Sequence, residues 1–291
     1  MSVGLVLVAS ACSATGSTNT AIPDTGPPPV VVPEGPPGSV PPVAQTTARL
    51  QEPSPPLDPG PLVTSDGGYT AVSAGYGHSC GLRAEGTIVC WGGNNLDGQL
   101  DAPVGAFAAV SAGSGHSCGL RIEGTVVCWG NDDSGQSNVP AGEFAAVSAG
   151  SGHSCGLRIE GTVVCWGNDD SGQLDAPVGA FAAVSAGNQY SCGVRAEGTI
   201  DCWGLDSYGG WDPPVDEFAA VTAGLENSCG LRAGGTVVCW GARFEGQSDA
   251  PVGDFTAVDV GYSHSCGLRT NGTIPCWSWI TNLPEGIRWL P

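Results

Sequence analysis

Twelve cysteines set at near-regular intervals constrain this chain more than any other feature. Cys80, Cys118, Cys155, Cys192, Cys229 and Cys266 recur every 37 or 38 residues. Each has a companion ten positions on, at Cys90, Cys128, Cys165, Cys202, Cys239 and Cys276. An even, regularly spaced set reads as a disulfide framework, and such a framework implies an oxidising compartment. The cysteines mark six copies of one unit, beginning at Tyr69, Phe107, Phe144, Phe181, Phe218 and Phe255. Residues 107–136 and 144–173 are identical over 30 positions, the trace of an internal duplication. In such an array each unit buries its apolar face on its neighbours.

The unit reads as β throughout. A strand of small residues (Ala-Ala-Val-Ser-Ala) leads through a Gly-containing turn to a second strand, Ser-Cys-Gly-Leu-Arg. A third, Thr-Val-Val-Cys-Trp, follows, then a Gly/Asn/Asp-rich loop and a short Pro-containing edge segment. No stretch holds helical periodicity beyond one turn. A unit of about 37 residues with three or four short strands suits a propeller blade. The hairpin between the second and third strands has a three-residue loop in the first copy, Ala84-Glu85-Gly86, with Gly in the left-handed position. That register pairs Arg83 with Thr87 and sets Cys80 opposite Cys90, close enough for a disulfide. The same register in the later copies predicts Cys118–Cys128, Cys155–Cys165, Cys192–Cys202, Cys229–Cys239 and Cys266–Cys276. Alternation turns the next residue, Trp91, Trp129, Trp166, Trp203, Trp240 or Trp277, to the opposite face, against a neighbouring blade.

The pattern A-V-S-A-G-x-x-H-S-C-G-L-R-x-x-G-T-V-V-C-W-G, followed by G-Q, resembles the regulator-of-chromosome-condensation repeat in its bacterial, cysteine-bearing form. The resemblance covers all six copies and implies an all-β fold, a β-propeller of four-stranded blades. Members of the family commonly have seven blades; this chain is expected to have about six, with seven as the alternative. The remnant at 284–291 looks like the opening of another unit that would close the ring. The resemblance also implies guanine-nucleotide exchange on a small GTPase with attachment to chromatin. A further similarity, to bacterial inhibitor propellers, implies blocking of a β-lactamase-type enzyme by loop contacts.

The rest of the chain argues against an intracellular role. Residues 3–11 form a short apolar stretch ending in small residues directly before Cys12, which resembles a bacterial lipoprotein signal with lipidation at Cys12. An ordinary cleaved signal, or a tail with an incidental cysteine, is the other reading. Residues 1–12 are thus read as the signal and 69–291 as the propeller. Between them, residues 13–68 hold fourteen of the 23 prolines and no aromatic residue. That composition predicts a disordered, partly polyproline linker able to reach roughly 170 Å. The formal charge is −19, with 28 acidic residues against nine basic ones, all Arg. Such a field repels phosphate backbones and anionic membrane surfaces. The expectation is a monomer in the bacterial cell envelope or secreted, in contact with a membrane only through a lipid on Cys12, and without a nucleic-acid partner.

The sequence offers no acid/base pair, nucleophile constellation, phosphate loop or cofactor fingerprint. His-Ser-Cys with a later Cys offers soft ligands for zinc. Yet the His position becomes Tyr190 and Asn227 in copies four and five while both cysteines persist. His78, His116, His153 and His264 are therefore read as hydrogen-bonding residues at blade junctions. The G-x-S-x-G match at 77–81 lacks the following helix that a nucleophile elbow needs. The N-D-D-S-G loops lack EF-hand spacing, and Asx turns account for them. The expected function is non-enzymatic binding of a protein or glycan. The copies are nearly uniform at the hairpin between strands two and three and diverge at the opposite end. There Tyr76, Tyr190, Tyr208, Trp211, Phe244, Tyr262 and Trp279 are predicted to form one arc across copies four, five, six and one of a closed ring, interspersed with Asp206, Glu226 and Glu245.

Overall fold

A computed structural model describes residues 68–93, 95–206, 212–242, 246–261 and 264–277. The chain divides into two units, and all of these residues belong to the one that contains 67–291. Cys12, the linker up to residue 67 and the remnant at 284–291 lie outside the described residues.

Eighteen strands form six antiparallel three-stranded meanders. Sheet one is Tyr69–Ala74, Ser79–Arg83 and Ile88–Trp91; sheet two is Phe107–Ala112, His116–Arg121 and Val126–Gly130. Sheets three and four are Phe144–Ala149, His153–Arg158 and Val163–Gly167, then Phe181–Ala186, Tyr190–Arg195 and Ile200–Gly204. Sheets five and six are Phe218–Ala223, Asn227–Arg232 and Val237–Gly241, then Phe255–Val260, Ser265–Arg269 and Cys276–Trp277. Packed in sequence order, they make an all-β propeller of about six blades.

The hairpin chemistry operates as the sequence predicts. Gly86 has φ +85°, and its N–H donates to the Arg83 carbonyl at 2.9 Å while Arg83 N–H donates to Thr87. Cys80 faces Cys90, and all six within-sheet disulfides are formed. The expected fourth strand is not a strand in the described copies. The segments at 100–106, 137–143 and 174–180 are turns, bends and irregular backbone, and each carries a proline that has no N–H to give to a ladder.

Between sheets, one asymmetric contact repeats. The trailing face of one sheet (Cys118, Leu120, Val126) buries the leading face of the next (Phe144, Ala149, Trp166). Sheet one covers Phe107 and Trp129 in the same way, and sheet three covers Phe181 and Trp203. The first strands also pack side by side, with the Ala149 N–H donating to Ser111 Oγ at 3.0 Å and Ala186 to Ser148 at 3.0 Å. In sheet six this serine position is Asp259, which accepts from Thr222 Oγ1 at 3.0 Å, and burial pushes its carboxyl up to about 7. A closed ring would seat sheet one on sheet six. Among the described residues, strand packing runs from sheet one to sheet six, and none of comparable extent joins sheet six back to sheet one.

Candidate partner-binding surface

Each sheet has a loop end, with the turn between strands one and two and the loop after strand three. The other end carries the R-x-x-G hairpin and the Pro-containing turn into the next sheet. The predicted aromatic arc belongs to the loop end. Of its members Tyr76 is 69% exposed, but Tyr190 is only 3% exposed and is not a surface residue. Tyr208, Trp211, Phe244, Tyr262 and Trp279 lie outside the described residues, as does Glu245. Asp206 is exposed and Glu226 half-buried.

The burial of Tyr190 has a simple cause. It opens the second strand of sheet four at the position that His116 and His153 hold in sheets two and three. His116 Nε2 lies 2.8 Å from Ser154 Oγ, and His153 Nε2 lies 2.8 Å from Ser191 Oγ, each reaching the next sheet. His78 makes the same link to Ser117 at 2.7 Å. The Tyr190 hydroxyl donates to the Asn227 carbonyl at 2.8 Å and sits 3.0 Å from Ser228 Oγ, and Asn227 Nδ2 donates to Ser265 Oγ. Three residue types thus perform one task, bridging neighbouring blades. Burial drives His116 and His153 down to about 4, so both rings are neutral at physiological pH. It pushes the Tyr190 phenol up to about 12.

The loops after strand three are also occupied with packing. Gln99, Gln136, Gln173 and Gln247 are buried. The Gln136 side-chain carbonyl accepts from Ser134 N–H at 2.9 Å, and its amide donates to Asn131 Oδ1. Asp132 accepts from Ser137 N–H, and Asp133 from Asn131 Nδ2. The main-chain carbonyls of Gln99, Gln136, Gln173 and Gln247 then accept the indole N–H of Trp129, Trp166, Trp203 and Trp277 at 2.9–3.0 Å. The G-Q pair is therefore a lock between blades. Its recurrence after Cys-Trp-Gly in copies one, two, three and five is the signal in the sequence.

The opposite end is built just as regularly. Arg158 lies 4.4 Å over the Phe144 ring, Arg195 lies 4.2 Å over Phe181, and the stack recurs in all six sheets. The same guanidinium groups hold the Pro-containing turns: Arg158 Nη1 donates to Ala141 O and Arg195 Nη1 to Val178 O, both at 2.8 Å. Six of the nine arginines stack on a ring, and of these Arg121, Arg158, Arg195 and Arg269 also donate to a turn carbonyl. Each turn also bonds the preceding hairpin, since Phe144 N–H donates to Gly124 O and Phe181 N–H to Gly161 O. Ile122 N–H donates to Ala106 O and Ala196 N–H to Ala180 O. Hairpins and turns form one continuous hydrogen-bonded rim.

Fold and interlocks together define a disulfide-stapled repeat propeller, with each blade keyed to the next. The Regulator of chromosome condensation (RCC1) repeat matches residues 69–99, 107–136, 144–173, 181–209 and 218–247, more than half of the chain, and the chain belongs to that family. The ectodomain of the Physcomitrella patens receptor kinase CR4 is similar, with 32% identity over 77% of this chain and a TM-score of 0.63. This chain spans 66% of that ectodomain's length. The CRINKLY WD40 ectodomain of the Arabidopsis thaliana receptor kinase ACR4 shares 29% identity over 74% of this chain and 82% of its own, with a TM-score of 0.61. Yeast RCC1 (Prp20), solved with Kap60, is similar in fold alone, at 18% identity over 72% of this chain and 69% of its own, TM-score 0.63. No match was found among curated protein sequences.

Proposed function

We propose that this chain is a non-enzymatic binding protein of the cell envelope or the secreted space, a monomer that displays its propeller to a protein or glycan ligand. The observation that carries this reading is the set of six disulfides, one in every sheet. Bonds of that number persist where the surroundings are oxidising. Each closes a short loop and contributes about 2–3 kcal/mol to the folded state. The likeness to two receptor-kinase ectodomains supports a place outside the cytoplasm. The buried histidines are spent on joining blades and the Asp and Gln side chains on holding their own loops, which supports binding rather than chemistry. In this reading Cys12 carries a lipid and residues 13–68 act as a tether.

Fractionation of cells expressing the full chain, with and without Cys12→Ser, tests the reading. The unaltered chain is expected in the membrane fraction and the variant in the released or soluble envelope fraction, both without free thiols in the propeller. Recovery of the unaltered chain in the cytoplasm with its thiols free would overturn it.

A further inference from the structure

The sequence directs attention away from the hairpin end, because the copies there are nearly uniform. That uniformity builds a repeated surface. An isolated exposed valine needs no explanation, but here the exposed apolar side chains are joined through one hydrogen-bonded rim. Val104, Ile122, Ile159 and Val178 are between 65% and 95% exposed. Arg121 Nη2 reaches toward Val104 O while Ile122 N–H donates to Ala106 O, so the turn that carries Val104 is bonded to the hairpin that carries Ile122. Ile159 sits beside the next turn, whose Ala141 carbonyl is held by Arg158, and Val178 is tied in by Arg195. Exposed apolar side chains carried on one bonded rim and interspersed with polar groups offer a surface on which a partner can dock.

Between the apolar positions stand carboxylates. Glu123 is exposed in the hairpin of sheet two, and the space above Gly124 in that hairpin is flanked by Glu143 Cβ at 3.6 Å. Glu160 follows Ile159 directly and is also exposed. The arginines of this end lie over the Phe rings. Arg121 Nε also stands 4.0 Å from Glu123 Oε1, a solvent-exposed pair worth little, so Glu123 is partly offset and Glu143 and Glu160 carry most of the acidic character. The rim of sheets two to four therefore alternates apolar and acidic groups. The partner that complements both is basic and carries apolar side chains at alternating positions.

We propose that the hairpin end of sheets two to four is the docking face for a basic polypeptide segment bearing apolar side chains. The proposal rests on the binding reading above and adds the face and the chemistry of the partner. It predicts that affinity depends on both kinds of group, whereas attraction to the overall charge of −19 would depend on charge alone.

The test uses the purified, oxidised full chain and a labelled peptide of alternating leucine and lysine, with a serine–lysine peptide of equal charge as control. The leucine–lysine peptide is expected to bind at least tenfold more tightly than the control, and more weakly as salt rises. Replacing Val104, Ile122, Ile159 and Val178 together by Ser should lower its affinity tenfold or more. Glu123→Gln with Glu143→Gln and Glu160→Gln should lower it threefold or more. These side chains are exposed, so an unchanged melting curve is expected for both variants. Equal affinity for the two peptides, or unchanged affinity in both variants, would overturn the proposal. So would loss of binding on Tyr76→Ala instead, which would place the site at the loop end. Binding of neutral oligosaccharides that the serine variant abolishes, with no preference for the leucine peptide, would assign the face to a glycan and also overturn it. The outcomes separate from those of the fractionation, because an unaffected affinity sinks the docking face and leaves the extracytoplasmic reading standing.

Discussion

Sheet one and sheet three have nearly the same sequence and strand register, yet their leading faces meet different surroundings. In sheet three, Phe144 and Trp166 are buried beneath Cys118, Leu120 and Val126 of sheet two. In sheet one the equivalent residues, Tyr69 and Trp91, are 42% and 40% exposed. The rings keep the same mutual contact, with centroids 5.9 Å apart in sheet one and 6.0 Å in sheet three. Each repeat therefore carries two half-interfaces, an aromatic leading one and a Cys/Leu trailing one. The geometry within a sheet is local, but burial is a property of the pair. Stability in such an array approximates a sum of intrinsic and nearest-neighbour terms.

The largest expected effect separates those two terms. Trp166→Ala removes a covered aromatic and its bond to the Gln136 carbonyl, and should cost about 3–5 kcal/mol in urea denaturation under oxidising conditions. Trp91→Ala should cost less than half as much. Equal costs would mean that sheet one is covered in solution, as closure of the ring requires.

The disulfides should erase the contrast. Replacing Cys155 and Cys165 by Ser, or Cys80 and Cys90 by Ser, opens the same local loop and should cost about 2–3 kcal/mol in either sheet. A clear inequality would show that the bonds act through the blade interface rather than within the hairpin.

A smaller effect concerns the glycine of Ser-Cys-Gly. A Cβ on Gly156 would lie 2.5 Å from Phe144 Cδ1, and one on Gly81 would lie 2.5 Å from Tyr69 Cδ1. Phe144 is confined beneath sheet two, so Gly156→Ala should cost about 1–3 kcal/mol by overpacking. Tyr69 can swing toward water, and Gly81→Ala should cost less. Matching losses in thermal unfolding would count against an open face on sheet one.

The pH dependence sets two slopes against each other. His116 and His153 titrate near 4 in the folded chain and at their ordinary value when unfolded. The unfolded state binds more protons between those values, so they make stability rise as pH increases from about 4 to 6.5. Asp259 is raised to about 7, so the folded state binds more protons above the ordinary carboxylate range, and stability falls as pH rises toward 7. Asp259→Ser, which installs the residue of sheets one to four, should steepen the rise between pH 4 and 6.5 and raise the melting temperature at pH 7.5. An unchanged profile would mean that Asp259 reaches solvent.

Much of this was legible in the sequence. The three-residue loop Ala84-Glu85-Gly86 predicts the pairing of Arg83 with Thr87, and the disulfides follow from that register, because a hairpin is set by neighbours along the chain. The histidines were read as junction residues because their replacement by Tyr190 and Asn227 left the cysteines in place. Tyr190 itself was misassigned to the surface: a tyrosine and an exposed loop residue look alike until the serine of the next sheet is in view. The bulge after Phe144, where the register shifts before Ala146, left no signal either.

The sequence by itself determined the first three strands of each unit, the hairpin register and the cysteine pairs, since these depend on residues within ten or so positions of one another. Only the tertiary structure decided which aromatics are covered, that the Gln carbonyls receive the indoles, and that the arginines fold inward over Phe rings. The same structure left Val104, Ile122, Ile159 and Val178 facing water. Burial and charge commitment are properties of blades brought together across some 37 residues of chain, and no repeat, read alone, specifies what its neighbour will cover.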